Sequence, residues 1–114
     1  MTRVYKVVGQ SEWAAAEREG VFLGAAIDIR DGYIHLSDGG QAETTVALYF
    51  ADRDDLTLVA LEAERLGEAL KWEPSRGGAL FPHLYATLPL DGVVFARPFS
   101  SRRPEELRAL LAAG

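Results

Sequence analysis

A chain of 114 residues is long enough for one hydrophobic core of ordinary size, so the expectation is a single domain spanning 1–114. Hydrophobic residues at 48% and charged residues at 25% exclude a disordered, collagen-like or fibrous polypeptide. The absence of cysteine excludes disulfides, thiolate zinc sites and a cysteine nucleophile, and a net charge of −5 disfavours attraction to a phosphate backbone, so no nucleic-acid partner is expected. No apolar stretch opens the chain at Met1–Lys6 and none approaches the roughly 18 apolar residues of a membrane helix, which predicts a cytoplasmic protein without a membrane partner.

In chain order, Arg3–Val8 reads as a strand rich in β-branched and aromatic residues. Ser11–Glu19 follows as a helix with Ser11 as N-cap, Gly20 at the left-handed C-terminal position, and Trp13 and Ala16 facing inward. A loop is expected through Gly24 and Asp28. Asp31-Gly32 signals a turn into Tyr33–Ser37, whose two-residue alternation points Ile34 and Leu36 to the core and Tyr33, His35 and Ser37 to the opposite, polar face. Gln41–Ala51 reads as a helix with Ala42, Val46, Tyr49 and Phe50 on one stripe. Because helix starts carry unpaired N–H groups, the Gly39-Gly40 turn before it is a candidate receiver of a phosphate or carboxylate.

Leu56–Leu61 has the continuous apolar character of a strand covered on both faces, and Val93–Ala96 is a shorter run of the same kind. Between them, 70–78 reads as a polar loop, followed by an extended segment in which Phe81, His83 and Tyr85 share a face. Pro104 opens a final helix striped by Leu107, Leu110 and Leu111. Strands and helices without strict alternation predict an α+β fold.

The chain holds two histidines, each in an extended segment with a second polar or aromatic group two residues on: His35 with Ser37, and His83 with Tyr85. Histidine exchanges protons near neutrality, so two in one cleft would form an acid-base pair; the plainer alternative is that each satisfies a buried backbone group. Ser37 reads as a binding hydroxyl rather than a nucleophile, since no nucleophile elbow surrounds it. Glu73, in the 70–78 loop, is a candidate carboxylate for the same cleft. His35, His83 and Glu73 form a chemically permissible metal set but lack local i,i+4 ligand spacing, so no metal is expected. Of Tyr5 and Lys6, adjacent on the first strand, one faces the polar side and the other packs. Trp13, Trp72 and Tyr49 read either as core or as a base-stacking set, with Trp72 the exposed one.

Val4-Tyr5-Lys6-Val7, Trp13 followed by Gly20, Asp31-Gly32-Tyr33-Ile34-His35-Leu36-Ser37, Gln41, Glu73 and Phe81-Pro82-His83-Leu84-Tyr85 together resemble the domain of unknown function 952 family, which is assigned to the ADP-ribosyltransferase-like superfamily. The resemblance implies a small split mixed sheet with flanking helices around a nucleotide-sized cleft. It implies His35, His83 and Glu73 as catalytic residues, and Tyr5, Lys6, Ser37, Gln41 and Tyr85 as residues that bind the nucleotide. The activity implied is ADP-ribosyl-type transfer or another consumption of NAD as substrate, with Glu73 as the ribose-binding carboxylate. Members of that family often carry histidine after the first-strand tyrosine, where this chain has Lys6. Two other readings stand beside it: a non-catalytic nucleotide-binding or regulatory module, and a two-histidine phosphoesterase, for which His35-Leu36-Ser37 supplies one His-x-Ser element while His83-Leu84-Tyr85 ends in a phenol.

Overall fold

The apolar run around Leu58 forms the centre of the principal sheet, where it is hydrogen-bonded on both edges. In a computed structural model that describes residues 2–113, strands β1 (Arg3–Gly9), β2 (Val21–Phe22), β3 (Ile34–His35), β4 (Ser37–Asp38), β5 (Leu56–Glu62), β6 (Leu70–Pro74), β7 (Leu80–Leu84), β8 (Leu88–Pro89) and β9 (Val93–Phe99) are joined by four α-helices. The helices are α1 (Gln10–Glu19), α2 (Ala26–Asp31), α3 (Ala42–Tyr49) and α4 (Pro104–Ala113), and short 3₁₀ turns separate several of the strands. The principal sheet has the order β4-β1-β5-β9, a second sheet is β3-β7-β6, and β2 pairs with β8. This is an α+β architecture. The pairings are antiparallel in all three sheets, which corrects the expected mixed sheet. Paired strands enter from opposite ends, and β6 and β7 do so through a tight hairpin that no parallel pair could use.

The two-residue period of β1 and β5 divides the core. Val4, Val8, Val59 and Leu61 face a cluster with Trp13, Ala16, Phe22, Ile34, Leu36, Leu84 and Leu88, beneath α1 and the smaller sheets. Tyr5, Val7, Leu56, Leu58 and Ala60 face the other way onto Val46, Phe99 and Leu107, beneath α3 and α4. Helix α1 ends at Gly20 in the left-handed conformation with φ 79°, as its sequence suggests, while its N-cap is Gly9. Ser11 therefore lies inside the first turn, because the Glu12 carboxylate already reaches back to the Gly9 amide at 3.4 Å.

Four other local expectations are corrected. Residues 26–31 are helical, so Asp28 sits on a helix and not in a loop. Residues 70–74 are a strand, held by pairing with β7, so Glu73 also has regular backbone. Tyr33–Ser37 is not one strand: β3 pairs with β7 and β4 with β1, with Leu36 at the crossing between two sheets. Helix α3 stops at Tyr49, which is exposed and outside the buried stripe of Ala42 and Val46. Among the described residues no helix is long and apolar enough to cross a membrane.

Leu58 and Leu61 are fully buried on opposite faces of the same strand. Leu58→Ala and Leu61→Ala should each cost about 3 kcal/mol, read as a lower urea midpoint with an unchanged denaturant slope.

Candidate functional site

The register between β3 and β7 places His35 directly opposite His83. Their ring centroids are 5.7 Å apart. Tyr33 packs against both, stacked on His83 at 4.2 Å and tilted to His35 at 4.6 Å. The histidines thus converge, and each is gripped from behind by a carboxylate.

Behind His35 stands Asp28. One carboxylate oxygen lies 2.7 Å from His35 Nδ1 and accepts the His35 backbone N–H at 3.1 Å. The same carboxylate accepts Lys6 Nζ at 3.1 and 2.9 Å and the Ala25 amide at 2.8 Å. Asp28 is the third residue of α2, so its bond to Ala25 also caps that helix. Gly24, with φ 122°, lets the chain pass over this carboxylate; a Cβ there would stand 3.0 Å from that of Asp28. Burial pushes the Asp28 carboxyl up, but the His35 hydrogen bond and the Lys6 charge outweigh it and hold the pKa at about 2. Burial also pulls the Lys6 ammonium below its ordinary range against the opposing charge of Asp28. With two short contacts between them, we read the pair as ionised. Lys6 Nζ further donates to the His35 carbonyl at 3.1 Å, and His35 Nε2 lies 3.1 Å from Asp31. Both ring nitrogens of His35 face carboxylates.

Behind His83 stands Glu73. Its Oε1 is 2.8 Å from His83 Nδ1 and accepts the Tyr85 hydroxyl at 2.7 Å. These bonds, Tyr85 first, hold the Glu73 carboxyl below its usual range, and the same bond pushes the Tyr85 phenol up to about 12. His83 Nε2 has no hydrogen-bond partner among the described residues.

The pair opens onto a cavity of about 430 Å³, walled by Tyr5, Tyr33, Tyr49, Phe50 and Phe81, with Lys6, Asp31, Ser37, Thr45, Ser75 and Arg76 between them. Of the residues expected at the site, His35, His83, Tyr5, Lys6 and Ser37 line this cavity. Lys6 is the one of the first-strand pair that meets the polar face, while Tyr5 belongs to the core beneath α3. Ser37 is buried and its hydroxyl is 2.9 Å from that of Thr45. Glu73 and Tyr85 stand behind His83 rather than on the wall. Gln41 clips the start of α3 to the Leu80 carbonyl at 2.7 Å and to the Asp38 amide at 3.0 Å, away from the cavity. The Gly39-Gly40 turn is no open anion receiver, since Asp38 takes the Gly40 amide at 2.9 Å and the Gln41 amide at 3.1 Å. Trp13 packs on Phe22 in the core and Trp72 lies half-exposed on β6, so of the three aromatic candidates only Tyr49 reaches the cavity.

The sequence reading missed Asp28, Thr45 and Arg76. For Asp28 a signal existed: an acidic residue three positions after Ala25 and four before Gly32 fits a short capped helix. Among the described residues no cluster of three or more His, Asp or Glu is arranged to hold a metal ion.

Because the native Asp28 pKa lies below the unfolded value, its ionised form stabilises the fold above about pH 4, and that stabilisation is lost as pH falls to about 2. Acid titration of stability should show about 2 kcal/mol lost over this window in the parent chain, and a flatter profile in Asp28→Asn. Glu73→Gln should return the Tyr85 phenol from about 12 toward 10.0, followed by tyrosinate absorbance.

The model of the family described as protein of unknown function DUF952 matches residues 7–96. No curated protein matches the chain. The crystal structure of protein CC0527 from Caulobacter crescentus is 50% identical with a TM-score of 0.83, over 85% of this chain and 85% of that one. The solution NMR structure of CC0527 is likewise 50% identical, with a TM-score of 0.80 over 88% of this chain and 86% of that one. With most of its length matched both by the family and by a half-identical structure, the chain belongs to the domain of unknown function 952 family.

Proposed function

We propose that the cavity binds a nucleotide and that the protein is an ADP-ribosyl-type transferase or related enzyme that consumes NAD as substrate. The observation that carries this reading is the pairing of two carboxylate-anchored imidazoles on an aromatic-walled cavity of about 430 Å³, within the ordinary range for a small-molecule site. The ADP-ribosyltransferase-like ancestry implied by the sequence resemblance supports the choice of NAD.

Loss of nicotinamide leaves a cationic, oxocarbenium-like centre on the ribose, and catalysis requires groups that favour that charge more than they favour the ground state. Tyrosine faces supply a negative quadrupole for such a centre. His83 Nε2, lacking a protein partner, is the group for a ribose hydroxyl, and Glu73 fixes the tautomer and tilt of that ring as a positioning residue. Asp28 and Asp31 hold both ring nitrogens of His35, so its ring faces the same space as a fixed wall.

One observation favours a second reading, the nucleotide-binding module without turnover. Lys6 occupies the first-strand position implied to touch nucleotide, yet its ammonium is committed to Asp28 and the His35 carbonyl. The two-histidine phosphoesterase has less support, since the Ser37 hydroxyl is engaged with Thr45.

Calorimetric titration with NAD should give saturable binding that weakens by about tenfold or more in His83→Ala and in His35→Ala. Nicotinamide release in the same samples then separates enzyme from binder. Absence of binding at millimolar NAD would sink both nucleotide readings in their NAD form.

A further inference from the structure

Arg76 stands on the 3₁₀ turn Arg76–Gly78 at the tip of the β6–β7 hairpin, on the wall of the cavity. Its guanidinium lies over the Phe81 ring at 4.4 Å and near the Tyr49 ring at 5.7 Å. One terminal nitrogen donates to Thr45 Oγ1 at 2.8 Å. The other, Nη1, is buried and has no hydrogen-bond partner among the described residues. None of the ion pairs among the described residues includes Arg76.

A guanidinium nitrogen withdrawn from water with an unmatched N–H is a costly arrangement, and an oxyanion is the group whose geometry satisfies a guanidinium. The other charges on the wall are already matched: Lys6 by Asp28, and Asp31 by Arg30 and His35. Among the described residues Arg76 is therefore a wall charge without an ion-pair partner. Thr45 holds it in place, with Oγ1 donating to the Gln41 carbonyl at 3.1 Å while it accepts from Arg76. Ser75 adds a hydroxyl on the same wall.

We infer that Arg76, oriented by Thr45 and stacked on Phe81, is a phosphate subsite whose guanidinium receives a phosphate oxygen of the cavity's ligand. This deepens the nucleotide reading and rests on it for the base and sugar, whereas the anion contact can be tested without it. The planar fork matters as well as the charge, so lysine is a poor replacement.

The test is an NMR titration of the full chain with inorganic pyrophosphate, acetate, AMP and adenosine. Pyrophosphate should move the amide resonances of Thr45, Arg76, Gly77 and Phe81, and AMP should bind about tenfold or more tighter than adenosine. In Arg76→Gln both effects should collapse, and Arg76→Lys should recover only part of them. Arg76→Leu, which keeps an apolar stem over Phe81, decides the matter if Arg76→Gln loses its dispersed spectrum. Equal pyrophosphate affinity in the parent and the charge-free variant would overturn the subsite and leave the NAD experiment to judge the nucleotide reading. Acetate binding as well as pyrophosphate would overturn the assignment to phosphate. Arg76-dependent pyrophosphate binding without any AMP or NAD binding would uphold the subsite and overturn the nucleotide reading.

Discussion

Almost everything at the cavity depends on one buried carboxylate. Asp28 is withdrawn from water, and an isolated ion in that position would be strongly unfavourable. It persists because four groups from three parts of the chain converge on it: the Lys6 ammonium, the His35 ring, the His35 amide and the Ala25 amide. Each of those bonds fixes an element. Lys6 ties the principal sheet to α2, the two His35 contacts tie the second sheet to the same point, and the Ala25 contact starts the helix itself. Satisfying one charge therefore assembles the back of the site, and the histidine in front of it inherits a defined position.

The two histidine dyads are built alike and situated differently. Asp28 lies inside the protein and cannot exchange partners without breaking the packing of α2. Glu73 is on the outer strand of the small sheet, partly open to water, where Tyr85 shares the same oxygen. A carboxylate buried in the protein thus backs one imidazole and a partly exposed carboxylate backs the other, across a single strand register.

Much of the framework was legible because its signals are local. β1, β5, α1 and α4 follow from periodicity and end signals. The short helix bearing Asp28 escaped notice because six residues offer less than two turns of pattern, and its stability comes from a capping bond within a tertiary ion network. Glu73 was taken for a loop residue because the 70–78 stretch is rich in turn formers; pairing with β7 overrides that preference. Arg76 carries no local signal at all. Its meaning depends on Thr45, Phe81 and Tyr49, which only the folded chain brings beside it.

The passage of residues 34–38 from one sheet to the other has a mechanical side. Ile34 and His35 are laced to β7, Ser37 and Asp38 to β1, and the Leu36 amide continues the first lacing by donating to the Pro82 carbonyl at 3.0 Å. Two sheets that might otherwise slide past each other are riveted by five consecutive residues, and the cavity is the gap that opens beside the rivet. Residues of the β6–β7 hairpin tip and of the end of α3 line it together with the paired histidines. Substitutions at that hairpin tip or helix end would accordingly reshape the wall while the laced histidine pair kept its register.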